Sequence, residues 1–178
     1  MIPYTGDASL PISIYDTIRT AVLNQQGFSV VSEVLPLAAT ETATFLIKNP
    51  TGSGKVLKLN FILCGLLQSV GSATGNQDVF RLYLDPTVTA NGTAVTISNL
   101  YSTSSPAASV MTAFSSPTVT ANGTKLGVYA VATQGNDTCL MPQHLTRILD
   151  PGHSWLFTQA GIVNGASTGI VQLEWIEV

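Results

Sequence analysis

Gly52-Ser53-Gly54-Lys55 has the residue types with which a phosphate-binding loop cradles a nucleotide. That loop needs a glycine five residues before its second glycine, and a Ser or Thr after the lysine to hold Mg²⁺. Those places hold Asn49 and Val56, and a strand-like run comes next where a helix should begin. The stretch therefore reads as a tight turn. Gly165-Ala166-Ser167-Thr168-Gly169 spells the nucleophile elbow G-x-S-x-G, which requires strand, turn and helix, then an acid and a histidine. Ser167 instead leads into the strand-like Ile170 to Val178, without a histidine, so the expectation is a hairpin loop.

His144 and His153 are the only histidines, and with Cys139 they are the candidate metal ligands. Their spacing fits no familiar ligand pattern, and the His-x-His pair of a cupin metal site is missing. Asp85, Asp137 and Asp150 precede or sit in turns, where hydrogen bonds from side chain to backbone account for them and calcium is the alternative. Cys64 lies in an apolar run and reads as a buried small hydrophobe, and a bridge to Cys139 is disfavoured without signs of secretion. Asn91, Asn122 and Asn136 spell glycosylation sequons but read as turn residues. Trp155 and Trp175 fall in strands and read as core, with an exposed sugar platform as the alternative. No catalytic, cofactor-binding or metal-ligating residue emerges, and the expectation is a protein that is not an enzyme.

Charge is scarce. The 178 residues carry 7 Lys+Arg and 10 Asp+Glu, with a net charge of −3 and a mean hydropathy of +0.33. A monomer of this mass presents about 8,300 Å² to water, which so few charges cover thinly. Self-association is the expected remedy. The scattered basic residues exclude nucleic acid as a partner. No apolar run reaches the roughly 18 residues that span a bilayer, so no membrane partner is expected. The start Met1-Ile2-Pro3-Tyr4 lacks the pattern of a signal peptide, so synthesis in a cytoplasm without export is expected.

The elements that must position these residues are mostly strands. Residues 1–28 form an N-terminal arm in which Ile14, Ile18 and Val22 recur at helical spacing, with Ser13 as cap and Gly27 as stop. From Ser29 to Val178, short Val-, Thr-, Ile- and Leu-rich runs alternate with Gly, Pro, Asn and Ser clusters. Predicted strands cover 29–35, 43–49, 55–67, 78–84, 87–90, 93–100, 110–114, 119–121, 125–133, 145–149, 154–160 and 170–178. That pattern predicts an all-β, antiparallel two-sheet sandwich of the jelly-roll type over 29–178. One octapeptide occurs twice, Pro86-Thr87-Val88-Thr89-Ala90-Asn91-Gly92-Thr93 and Pro117-Thr118-Val119-Thr120-Ala121-Asn122-Gly123-Thr124. Asn-Gly between alternating residues predicts two separate hairpins, with Val88 opposite Val95 and Val119 opposite Leu126.

Thr44 to Lys55, Asn91 to Val95 with Asn99-Leu100, and Ile148 to Ser154 resemble the turn texture of jelly-roll proteins on tailed-phage virions. These are capsid decoration (cement) and head-fibre-type components. The resemblance implies a homotrimer seated on the capsid surface, assembled in the host cytoplasm and bound to the major capsid protein or another virion protein. Tail adaptors and trimeric receptor-binding heads that recognise a host glycan or receptor share the texture and form the alternative. A cupin-like metal enzyme is the third reading.

Overall fold

The computed structural model describes residues 14–36, 40–69, 74–134, 140–143, 147–161 and 167–178. The one helix among them, α1 (Ile14–Leu23), buries Ala21 and contacts strands β1 (Gly27–Pro36) and β14 (Ser167–Glu177). Its stop comes before Gly27. Gln26 N donates to Ala21 O at 2.8 Å and Gln25 N to Val22 O at 2.9 Å, while Gln25 takes φ 60°. That is a Schellman cap built on glutamine. Strand β1 then begins at Gly27, so Phe28 belongs to the core while Ser13 lies outside the described residues.

Two antiparallel sheets pack face to face. The first runs β11 (Leu140–Gln143), β3 (Leu57–Ser69), β14, β1 and β7 (Ile97–Asn99), with β12 (Arg147–Leu149) also on β3. The second runs β10 (Thr124–Gln134), β4 (Thr74–Leu84), β13 (Ser154–Gly161), β2 (Thr42–Lys48), β8 (Thr112–Ser115) and β6 (Thr93–Val95). The chain alternates between sheets from β1 to β4 and returns through β10, β11/β12, β13 and β14, as a jelly roll does. Alternate residues of each strand point inward. They bring Phe45, Phe80, Phe157, Trp155 and Trp175 together, all at most 1 % exposed, with Phe28 and Trp175 ring centroids 6.1 Å apart. Each such burial contributes about 1.5–3 kcal/mol.

The strand pattern expected from sequence is largely present, with three differences. The run 93–100 divides at Thr96 into β6 in one sheet and β7 in the other, because the chain crosses the sandwich there. Strand β11 adds an element that the sequence did not announce, its run being short and interrupted by Pro142. Ser167 to Gly169 are already strand, paired with Ser69, Gln68 and Leu66, and so are not the expected loop.

The octapeptides do not form two hairpins. Strand β5 (Thr87–Ala90) pairs with β9 (Thr118–Ala121), so each copy lies against the other. Thr87 faces Ala121, Ala90 faces Thr118, and Val88 meets its equivalent Val119. The Asn-Gly steps turn the chain from this ribbon into the second sheet, large beside the two-stranded ribbon, where β6 joins β8 and β10 joins β4. Gly92 and Gly123 both hold φ 87°. A Cβ at either would stand 2.1 Å from a carbonyl oxygen, Ser115 O or Leu84 O respectively. Glycine is demanded there by backbone conformation and by close approach together. The residue before each Pro is also left-handed, Asp85 at 53° and Ser116 at 52°.

This local twofold extends through the large sheet. Tyr83, Leu156, Leu46 and Phe114 are consecutive neighbours across β4, β13, β2 and β8, with Leu46 opposite Leu156 at the centre. Asp85 N donates to Ser154 O at 2.9 Å, and its equivalent Ser116 N donates to Thr44 O at 2.8 Å. Leu46 and Leu156 point away from the core side occupied by Phe45, Ile47, Trp155 and Phe157, yet both are fully buried. A strand with one solvated face would alternate in burial, whereas β13 is buried continuously from Trp155 to Gln159. The β5–β9 ribbon, anchored on this face at both ends, is the element placed to cover Leu46 and Leu156. It leaves the sheet at Asp85 and Ser116 and is tied back at its ends by Asn91 to Lys48 and Asn122 to Glu41.

Candidate functional site

The ribbon's two ends create two polar sites on the outer face of the large sheet. At one, the alternation of β4 puts Arg81 and Tyr83 on that face, because Phe80, Leu82 and Leu84 turn to the core. Strand β13 adds Thr158 beside Arg81, and β10 adds Lys125 beside Tyr83. Their focus is Glu41. Its Oε1 accepts from Tyr83 Oη at 2.7 Å, Thr158 Oγ1 at 2.7 Å and Asn122 Nδ2 at 3.2 Å. Arg81 Nη1 stands 3.5 Å from Oε2, an ion pair rather than a hydrogen bond. Lys125 Nζ lies 5.7 Å from the Tyr83 ring centre.

Burial alone would raise the Glu41 pKa. The hydrogen bonds from Thr158 and Tyr83 and the charges of Arg81 and Lys125 outweigh it and hold the carboxyl below its ordinary value. Burial and the same carboxylate push Tyr83 above its ordinary value. Glu41 is therefore an ionised acceptor surrounded by donors, which fixes the ribbon. A general acid would need the opposite shift.

At the other end of the ribbon lies a cleft of about 550 Å³, lined by Lys48, Thr51, Asn91, Thr112, Phe114 and His153 among others. Lys48 Nζ donates to Asn91 Oδ1 at 3.1 Å. His153 is half-exposed, and its Nδ1 meets Asp85 Oδ2 at 2.7 Å, while Asp85 Oδ1 accepts from Ser154 N at 3.1 Å. The floor is set by Asn49, 1 % exposed, whose Nδ2 donates to Lys55 O and Leu149 O at 2.8 and 2.9 Å. Asn49 thereby joins the 50–54 turn to the 150–153 turn, and Gly152 N donates to Asn49 O at 2.9 Å.

The residues singled out from sequence are dispersed. Gly52 to Lys55 form the expected turn, with Ser53 Oγ donating to Asn49 Oδ1 at 2.6 Å before β3 begins at Leu57. Cys64 is a buried free thiol whose pKa burial drives far above its ordinary value. Trp155 and Trp175 are core residues. Asp85 acts over long range, on His153 and Ser154, rather than within its own turn. Asp137, Cys139 and His144 lie outside the described residues. Among the described residues, no three His, Cys, Asp or Glu side chains are grouped to hold a metal.

Sequence reasoning missed Glu41 and Lys48 altogether. The available signal was the polar alternation Arg81, Tyr83 within an apolar strand, and the repeated Asn at the ribbon ends. No protein-family model matches the chain, and no curated protein matches its sequence.

Proposed function

We propose that this chain is a structural virion protein of the capsid decoration type, which associates with copies of itself as a trimer and reinforces a capsid shell. The observation that carries the reading is a set of exposed apolar side chains at one end of the sandwich. Leu23 closes α1 at 57 % exposure, and Leu100, Tyr101, Val110 and Val178, 36–43 % exposed, lie on segments joined to the turn after it. Hydrogen bonds gather the segments bearing them: Leu100 N to Gly27 O, Glu177 N to Gln26 O, and Val110 N to Glu177 Oε2. Buried Glu177 anchors this end by also accepting from Trp175 Nε1 at 3.2 Å and from Ser109 Oγ. Apolar groups clustered at an end with so few charges in the chain associate without desolvating ions.

The resemblance of the turn texture to phage virion jelly rolls adds the location, the capsid surface, and the partner, a capsid protein. Among the described residues no helix is long and apolar enough to cross a membrane. The test is sedimentation of the purified protein together with electron microscopy of particles carrying it. A trimer and density over the shell are expected. A monodisperse monomer at micromolar concentration would overturn the reading.

A further inference from the structure

The two ends of the ribbon are equivalent by the local twofold, yet in only one does a carboxylate stand among the strand-borne hydroxyl, amide and cation. Asn122 corresponds to Asn91, Tyr83 to Phe114, Arg81 to Thr112 and Thr158 to Lys48, as their pairings across β4, β13, β2 and β8 require. In the first site Glu41 fills the space between these groups and is bound by hydroxyl, amide and cation together. In the second the same kinds of donor recur: a hydroxyl on Thr112, the amide of Asn91 and a cation on Lys48. The turn bearing Gly152 and His153 borders that cleft, and the Asp85 carboxylate beside it is already engaged by His153 Nδ1 and Ser154 N. The second site is a cleft of about 550 Å³ where the first has a glutamate.

We propose that this cleft binds a carboxylate-bearing sugar residue of the hexuronate class, its carboxylate taking the place that Glu41 holds in the equivalent site. Lys48 Nζ and the Asn91 amide receive the carboxylate. Phe114, which stands where the other site has Tyr83, provides an apolar wall for the C–H face of the ring. Thr51 and Thr112 offer hydroxyls at the ring's own hydroxyl positions. The volume lies within the range of small-molecule sites, roughly 300–1,000 Å³.

A peptide carboxylate fits less well. Strand β2 is paired on both sides, by β13 and β8, so no sheet edge in the cleft offers a backbone ladder to an extended chain. Among the described residues, Lys48 is the one lysine or arginine lining the cleft, which suits one carboxylate per ring rather than a run of acidic side chains. The inference stands on the cleft and its twin and is independent of oligomeric state.

The test is calorimetric titration of the full chain with a short oligogalacturonate, its methyl ester, and an oligoglutamate peptide. The oligogalacturonate binds, and both esterification and Lys48→Met weaken it by about tenfold or more, the effect of losing a charge-assisted hydrogen bond. Thr112→Val, which leaves both partners of the Lys48–Asn91 contact in place, provides a second variant should Lys48→Met unfold, and it too weakens binding. Equal affinity for the ester, no binding of either sugar, tighter binding of oligoglutamate, unchanged affinity in a folded Lys48→Met protein or, should that variant unfold, unchanged affinity in Thr112→Val each overturns the proposal.

Discussion

Val88 and Val119 face each other at the centre of a two-stranded ribbon, although they belong to two copies of the same octapeptide separated in the chain. Thr89 Oγ1 donates to Thr118 O at 3.1 Å and its equivalent Thr120 Oγ1 to Thr87 O at 3.5 Å, so even the side-chain bonds repeat across the axis. Repetition in the sequence is here the means of building a twofold inside one chain.

Gly92→Val and Gly123→Val should destabilise the fold by comparable amounts, on the order of 3 kcal/mol or more, because the added Cβ meets backbone oxygen at both sites. Thr89→Ala, on the exposed side of the ribbon, should cost less than about 1 kcal/mol. Urea unfolding of the three variants checks this. A large loss at one glycine alone would show that the two ends are not equivalent.

Leu46→Ala and Leu156→Ala should each cost about 2–5 kcal/mol, the range of core truncations, although neither side chain belongs to the core between the sheets. Losses below about 1 kcal/mol in thermal unfolding would mean that the ribbon does not seal this face.

Glu41→Gln removes the charge that collects Tyr83, Thr158 and Asn122. Hydrogen bonds to a charged group contribute roughly 1.5–3 kcal/mol, discounted here because the side chain is 31 % exposed. Its folded pKa lies below the ordinary value of 4.5, so its contribution is present above that pH. It is lost as the pH falls through the depressed folded value. The gap in stability between wild type and Glu41→Gln should therefore close in acid, measurable as melting temperature from pH 7 down to pH 3.

Asp85→Gly and Ser116→Gly should diverge, with only the second stabilising. Both positions are left-handed, and glycine relieves that conformation by up to about 1 kcal/mol. Ser116→Gly should gain this. Asp85→Gly also forfeits the bonds to Ser154 N and His153 Nδ1, so it should be neutral or destabilising. Equal gains in chemical denaturation would show that the Asp85 carboxylate contributes nothing.

Sequence pattern exposed the sandwich because the inward faces of single strands carry it locally: Trp155 with Phe157, and Val171, Leu173 and Trp175, recur at every second residue as a core face must. It was blind to the ribbon because pairing of Val88 with Val119 is a relation between distant residues, and Asn-Gly signals a turn without saying which strand the chain joins next. The polar sites were hidden for a related reason. Glu41, Arg81, Asn122 and Thr158 come from four separate segments, and no spacing among them repeats. The turn at Gly52 to Lys55 was legible because all of its determinants are local.

An octapeptide that pairs with its own copy about a twofold axis does not distinguish the copy in its own chain from the copy in another. Intramolecular closure must bring together residues about thirty positions apart, a loop entropy of roughly 3 kcal/mol. Crowded chains that have not yet closed can exchange ribbons instead, each strand finding an identical mate across a molecular dyad. Refolding from denaturant should then yield strand-exchanged dimers in proportion that rises with protein concentration, and the kinetic partition between closure and exchange is written into a repeat of eight residues.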